Sequence, residues 1–259
     1  MMMKNLSILT VGTTSGIGEY IYKELGGHSL TRATLPEEIE ELQARGVDII
    51  IHCARNRNRV VNSEILYNYI NDNVFLTKQL INIPHKKFIY LSSIETYPKN
   101  SEKHFETEVI DVDALSTIYG ITKLMSESII LQFCKNHLII RAATLLGREM
   151  RKNSFMQILE NKNCSLTLSQ NSTFNYVLYA DILEFIKYSI KYDLNGIYNA
   201  ACSKNIRLSD LAEILQAKPN FGTHTYSVGL IDNTKIAELV PHFRRTSKEN
   251  IDLYLKELR

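Results

Sequence analysis

Glycines stand at positions 12, 16 and 18 of the stretch VGTTSGIGEY, where the apolar run LSILT gives way to a helical pattern. A strand that turns through glycines into a helix offers unpaired N–H groups with no side chains in the way, an arrangement suited to a dinucleotide pyrophosphate. Gly12, Thr13, Ser15, Gly16, Ile17 and Gly18 are the expected phosphate-binding turn. The spacing is G-x-x-x-G-x-G rather than G-x-G-x-x-G, and a tight turn in any α/β protein is the alternative. About 20 residues on, at the end of a second strand, an acid would accept from an adenosine ribose 2′-hydroxyl and an Arg would accommodate a 2′-phosphate. The stretch SLTRAT supplies Thr31 and Arg32, with no Asp or Glu between Glu24 and Glu37. NADP(H) is therefore expected over NAD(H), unless Arg32 only caps the loop in solvent. Further along, IYGITKLMSE places Tyr119 and Lys123 four apart on one face of a helix. In a chain with 14 Tyr one such spacing arises by chance, so alone it assigns nothing.

The elements that must carry these residues are legible as apolar runs of strand length at 6–11, 28–32, 47–54, 87–93, 137–143 and 196–201. Several are apolar at consecutive positions, as strands covered on both faces must be. Between them lie the helical patterns GEYIYKEL, PEEIEELQARG, ILYNYINDNVFLTKQLI and YGITKLMSESIILQFCKN. The second opens on Pro36 and glutamates and closes at Gly46, a good helix start and stop. This alternation predicts an α/β fold, a Rossmann-like doubly wound parallel sheet. From about residue 147 the rhythm loosens into separated helical pieces and a Ser/Thr-rich segment, which fits a small C-terminal substrate-binding lobe. The expected division is 1–146 for the NAD(P)-binding part, with contributions from about 174–201, and 147–173 with 202–259 for the lobe.

Composition narrows the setting. The 259 residues are 44% hydrophobic, enough for a sizeable core, and carry a net charge of +2 with acids and bases interspersed. That balance gives no reason to expect nucleic acid or a membrane surface as partner. The basic run ARNRNRVV, with Arg55, Arg57 and Arg59, is either a solvated loop or a neighbour of an anionic ligand. No apolar run is long enough for a membrane span or a signal peptide core, and Cys53, Cys134, Cys164 and Cys202 lie far apart, so neither zinc nor any other metal site nor a disulfide framework is expected. A cytoplasmic protein is the expectation.

Six stretches occur in a telling order: IHCAR, NDNVFLTKQLI, FIYLSSIETY, YGITKLMSE, LIIRAATLLGRE and GIYNAACSKNIRLSDLAEIL. In that order the chain resembles the extended short-chain dehydrogenase/reductase superfamily, the NAD(P)-dependent epimerase/dehydratase group acting on nucleotide sugars. The resemblance runs from Leu6 to about Gln216, and its layout is most like the NADPH-dependent dTDP-4-dehydrorhamnose reductases. It implies Tyr119 as proton donor or acceptor on the reacting oxygen. Lys123 would hold the nicotinamide ribose and, as a cation, lower the phenol pKa. Ser93 would hydrogen-bond the substrate oxygen; a strand-end hydroxyl satisfying a turn is the alternative. Cys53, Ala54, Arg55, Asn73 and Ala143 join the expected coenzyme contacts, Asn73 as scaffold. Hydride reaching a carbonyl carbon builds negative charge on oxygen, so a tuned proton donor and a second fixed hydrogen bond both stabilise that transition state.

The chain also departs from the group's pattern. Ser15 fills the middle glycine position, and the usual third strand with its Asp is missing after SLTRAT. Ile94 stands where the group's dehydratases carry Asp, so 4,6-dehydration is not expected. Phe174 replaces an Arg that contacts substrate diphosphate in relatives, leaving Arg148, Arg151 or Arg207 to take that role. The expected function is NADPH-dependent reduction of a keto group on a nucleotide-activated sugar, in particular a 4-keto-6-deoxy hexose, in polysaccharide biosynthesis. A nucleotide-sugar epimerase with tightly held NAD and a non-catalytic NADP-binding regulator are the alternatives. By the same resemblance the helices at 61–81 and 116–136 could form a homodimer contact or be buried core helices.

Overall fold

The computed structural model describes residues 6–34, 36–56, 58 and 60–258; Arg57 and Arg59 of the basic run lie outside the described residues. Strand β1 (Ile8–Val11) leads through the glycine turn to α1 (Gly16–Leu25), β2 (His28–Leu30), α2 (Pro36–Arg45) and β3 (Val47–His52). Helix α3 (Ser63–Ile70) passes through one π-helical turn, Asn71–Phe75, into α4 (Leu76–Ile81). Strand β4 (His85–Ser93) closes in a 3₁₀ turn, Ile94–Thr96, followed by β5 (Lys103–His104), α5 (Ile118–Phe133), β6 (His137–Ala142) and β7 (Thr144–Leu146). The chain continues through α6 (Ser154–Glu160), β8 (Thr173–Phe174), β9 (Tyr176–Leu178), α7 (Tyr179–Lys191), β10 (Gly196–Ala200) and β11 (Ile206–Arg207). It ends with α8 (Leu208–Ile214), β12 (Leu230–Ile231), α9 (Thr234–Leu239) and α10 (Ser247–Glu257).

All six expected strands enter one parallel sheet in the order β10-β6-β4-β3-β1-β2. Consecutive apolar residues serve opposite faces because strand side chains alternate. Ile8, Ile49, Ile51 and Ile89 pack with Ile21 of α1 and Ile182 and Phe185 of α7. Their neighbours Leu9, Ile50, Phe88 and Tyr90 pack with Leu42 of α2, Leu80 of α4 and Ile130 of α5. The strand order reverses between β1 and β3, which opens a crevice at their C-terminal ends. The sheet stops at β2, as the missing third strand implied.

A separate cluster joins Phe155, Ile158, Tyr176, Leu211, Ile251 and Tyr254 from the C-terminal helices and β9. Short ribbons tie this region to the rest: β7 with β9, β8 with β11, and β12 with β5. No helix among the described residues is long and apolar enough to cross a membrane, and no cluster of metal-ligating side chains occurs among them.

Candidate active site

The glycine turn is shaped by the protein's own packing. At Gly12, where φ is +89°, a Cβ would sit 2.7 Å from the Ala54 Cα, and one at Gly18 would sit 2.3 Å from the Gly12 carbonyl oxygen. Gly16, with φ +67°, faces the Tyr179 hydroxyl. At Gly12 and Gly18 the neighbouring chain fills the space a side chain would take. Absent side chains let β1, α1 and the loop after β3 close together, with the Gly12 N–H on the Leu30 carbonyl at 2.9 Å and the Cys53 N–H on the Val11 carbonyl at 3.0 Å. Thr13 is buried at the centre of this turn. Ser15 N-caps α1 in extended backbone (φ −174°) without a side-chain cap, so no side chain of its own satisfies the first N–H groups of the helix. The helix start therefore keeps the donors and the partial positive charge that suit a pyrophosphate. Gly12→Ala should cost at least about 2 kcal/mol through strain and overlap, read as a lower melting temperature together with loss of retained coenzyme.

At the end of β2 the structure adds a residue that sequence reasoning missed. Arg32, its side chain 80% exposed, pairs with Asp72 from the π-helical turn. The same Asp72 Oδ2 accepts from Asn56 Nδ2 at 2.8 Å, and Asn73 Oδ1 accepts from the Asn56 N–H at 2.8 Å. The stretch between Glu24 and Glu37 holds no acid, but one arrives at Arg32 from 40 residues downstream. Thr31 closes the turn after β2, its Oγ accepting from the Ala33 N–H at 3.1 Å. The signal in sequence was the NDN run, in which only Asn73 was singled out.

Ser93, Tyr119 and Lys123 meet at the C-terminal end of β4. Helix α5 begins at an N-cap, Thr117, whose side chain accepts from the Gly120 N–H at 3.1 Å. A Cβ on Gly120 would lie 2.1 Å from the Glu95 carbonyl oxygen; glycine there lets the helix start touch the 3₁₀ turn. Ser93 and Tyr119 are consequently close enough for the Ser93 hydroxyl to act on the phenol. Ser93 Oγ also accepts from the Glu95 N–H at 3.2 Å, so the turn-capping role and the site role coexist. Buried Lys123 sits with its Nζ on the Leu91 carbonyl at 2.8 Å and 5.8 Å from the Tyr119 ring centroid.

The electrostatics differ from expectation. Burial raises the Tyr119 phenol above its ordinary value, with Arg55 and the Ser93 hydroxyl opposing, so the phenol is not lowered overall. Arg55, whose guanidinium carbon lies 5.5 Å from the Tyr119 ring centroid, is the main opposing cation rather than Lys123. Burial and the Arg55 charge bring Lys123 down to about 7. Between that value and its ordinary 10.5 the unfolded chain holds more of the proton, so this group makes stability rise with pH across that window, its penalty being full below it. Chemical denaturation at pH 7 and pH 9 should show that rise, and Lys123→Met should remove it. Cys53 is pushed up to about 12 by burial and is no thiolate nucleophile, and His52 is held down to about 3, neutral in the core.

Tyr119, Lys123 and Glu127 recur every four residues on α5, and Glu127 anchors that stripe. Its carboxylate takes Arg141 Nη2 at 2.7 Å and the Ser92 hydroxyl. Arg141 Nη1 donates to the Tyr97 hydroxyl at 2.8 Å, which donates to Asn199 Oδ1 at 2.8 Å. One buried network thus locks α5 to β4, β6 and β10.

On the lobe side, Phe174 stacks between Tyr176 and Tyr226 with centroid distances of 5.8 and 5.1 Å. The Tyr226 hydroxyl donates to Glu95 Oε1 at 2.6 Å, and Lys99 pairs with the same oxygen at 3.0 Å. Of the three cations considered for a substrate diphosphate, Arg151 exerts its charge on Tyr119, Arg148 on Tyr254, and Arg207 lines a separate cavity of about 550 Å³ with Lys103 and Lys204. Ala143 is buried just past β6, its N–H on the Ala200 carbonyl at 3.0 Å.

The sequence model described as the NAD dependent epimerase/dehydratase family matches residues 12–201. None of the curated proteins matches the sequence. Among solved structures, a dTDP-4-dehydrorhamnose reductase from Clostridium acetobutylicum superposes with a TM-score of 0.79 at 17% identity, covering 98% of this chain and 99% of the other. A UDP-glucuronic acid 4-epimerase from Bacillus cereus gives 0.75 at 18% identity, covering 98% and 100%. The Helicobacter pylori ADP-L-glycero-D-manno-heptose-6-epimerase gives 0.77 at 15%, covering 98% and 96%.

Proposed function

Because the chain belongs to the NAD-dependent epimerase/dehydratase family, we propose that it reduces a keto group on a nucleotide-activated sugar, in particular a 4-keto-6-deoxy hexose destined for polysaccharide assembly. The observation that carries this reading is the meeting of Ser93, Tyr119 and buried Lys123 at the end of β4, Lys123 Nζ lying 5.8 Å from the Tyr119 ring centroid, with burial raising the phenol above its ordinary value. A bound nicotinamide coenzyme would supply the hydride. The uncapped start of α1 suits its pyrophosphate, and Lys123 would turn to its ribose. Ser93 then holds the carbonyl oxygen, and Tyr119 gives that oxygen its proton as negative charge develops there. A phenol that keeps its proton until this moment suits reduction. Purified protein supplied with reduced coenzyme and a panel of nucleotide 4-keto sugars should consume absorbance in the near ultraviolet. Absence of oxidation with every member would refute the reading.

A second reading is an epimerase that keeps NAD bound and uses the same three residues in both directions. Asp72 favours it, since an acid beside the ribose site removes the ground on which Arg32 alone pointed to NADP(H). Mass spectrometry of the denatured supernatant separates the two, because only the epimerase carries stoichiometric NAD through purification.

The protein is further proposed to act in the cytoplasm as a homodimer through α3–α4 and α5. Supporting this, Leu66, Tyr67 and Phe75 on the first and Met125, Leu131 and Phe133 on the second are exposed apolar side chains. Light scattering should give twice the chain mass, and Tyr67→Glu with Phe133→Glu should halve it.

A further inference from the structure

We infer that Asp72 selects the coenzyme: paired with Arg32, it reads the adenosine ribose and makes the site take the 2′-hydroxyl of NAD(H) rather than the 2′-phosphate of NADP(H). This rests on the dinucleotide reading of the site.

The argument starts from where the acid sits. In a doubly wound sheet the ribose of the adenosine lies at the C-terminal end of the second strand, beside the glycine turn. Here the Leu30 carbonyl at that strand end is bonded to the Gly12 N–H, and Arg32 follows two residues later. Among the described residues the sheet has no strand beyond β2 to bring an acid from that side. The π-helical turn does so from the opposite wall of the crevice. One extra residue in the helix brings Asp72 and Asn73 together onto the loop that follows β3, where both hold Asn56. Asn56 is buried, so the carboxylate is tied to a fixed point of the core as well as to the exposed end of Arg32.

Charge then decides the preference. The Arg32 guanidinium faces a carboxylate already, so the pair offers no net positive charge to a 2′-phosphate. A phosphate arriving there would bring its own negative charge against Asp72 while competing for the same cation. A ribose hydroxyl meets neither obstacle: it donates to the carboxylate in a charge-assisted hydrogen bond, and Arg32 keeps its partner. Among the described residues both contacts to Asp72 fall on Oδ2.

The test is a set of affinities for NADH and NADPH measured by titration of the full chain. The wild type should hold NADH at least about tenfold more tightly than NADPH, the value of one charge-assisted contact. Asp72→Asn, which keeps shape and the Asn56 contact while releasing Arg32, should invert that order. Arg32→Ala should weaken NADPH further and leave NADH within about threefold, since only an exposed ion pair is lost; it guards against a folding defect in the first variant. A wild type that prefers NADPH, or an Asp72→Asn protein whose ratio equals that of the wild type, would overturn the inference and leave the proposed function standing. A wild type that binds neither would overturn both.

Discussion

Tyr119→Phe is expected to lower kcat about a thousandfold, the middle of the range for a positioned general acid, while coenzyme affinity stays unchanged. The expectation follows from the arrangement at the end of β4. The phenol stands beside the Ser93 hydroxyl, and burial raises it above its ordinary value. Phenylalanine preserves the ring that Arg55 and Lys123 face and deletes only the proton source. Ser93 remains to polarise the carbonyl, so residual turnover should exceed that of the double variant with Ser93→Ala. If Tyr119→Phe left both turnover and the biological role untouched, the chain would be a coenzyme-binding regulator instead.

The second large effect concerns stability. Glu127 and Arg141 are an ion pair with side chains 1% and 4% exposed, and the pair is completed by Ser92 and Tyr97. Removing one partner leaves a charge buried without compensation, which costs about 3–5 kcal/mol. Glu127→Gln should therefore lower the melting temperature by roughly 10 °C in a chain of this size. Arg141→Met in the same chain should return part of the loss, because two neutral groups then replace one stranded cation. Activity should fall along with stability only through α5: Tyr119 and Lys123 ride on the helix face that Glu127 holds. The observable is kcat at a temperature well below both transitions. A single variant that melts like the wild type would show that the network is better solvated than its burial implies.

Much of the fold was legible because its signals are local. Six apolar runs of strand length, separated by helical periods, all became strands of one sheet. Gly12, Gly16 and Gly18 marked the turn, and Pro36 with Gly46 bracketed α2 as read. Boundaries moved by a residue or more where edges depend on neighbours: the run 28–32 keeps only His28–Leu30 as strand, because β2 is the sheet edge. The helix expected at 65–81 carries a π-helical turn in its middle, which periodicity alone does not announce.

What the chain order could not carry were relations between residues far apart in it. Arg32 was read by its neighbours along the backbone, and Asp72 lies outside any such window. The sign of the Tyr119 shift depended on how deeply the ring is buried and on Arg55 reaching it, neither of which is a property of a Y-x-x-x-K spacing. The glycine turn was recognised from its spacing, but only packing reveals that Ala54 and the Gly12 carbonyl fill the space beside Gly12 and Gly18.

The amino-acid sequence by itself determined the alternation of strand and helix, the glycine turn and the residues able to move a proton, because hydrophobic period, backbone permissiveness and side-chain chemistry are carried by each segment alone. Tertiary structure decided which charges meet. Coulomb interactions and desolvation depend on distance and burial, and those exist only after Asp72 has been folded against Arg32 and Arg55 against Tyr119.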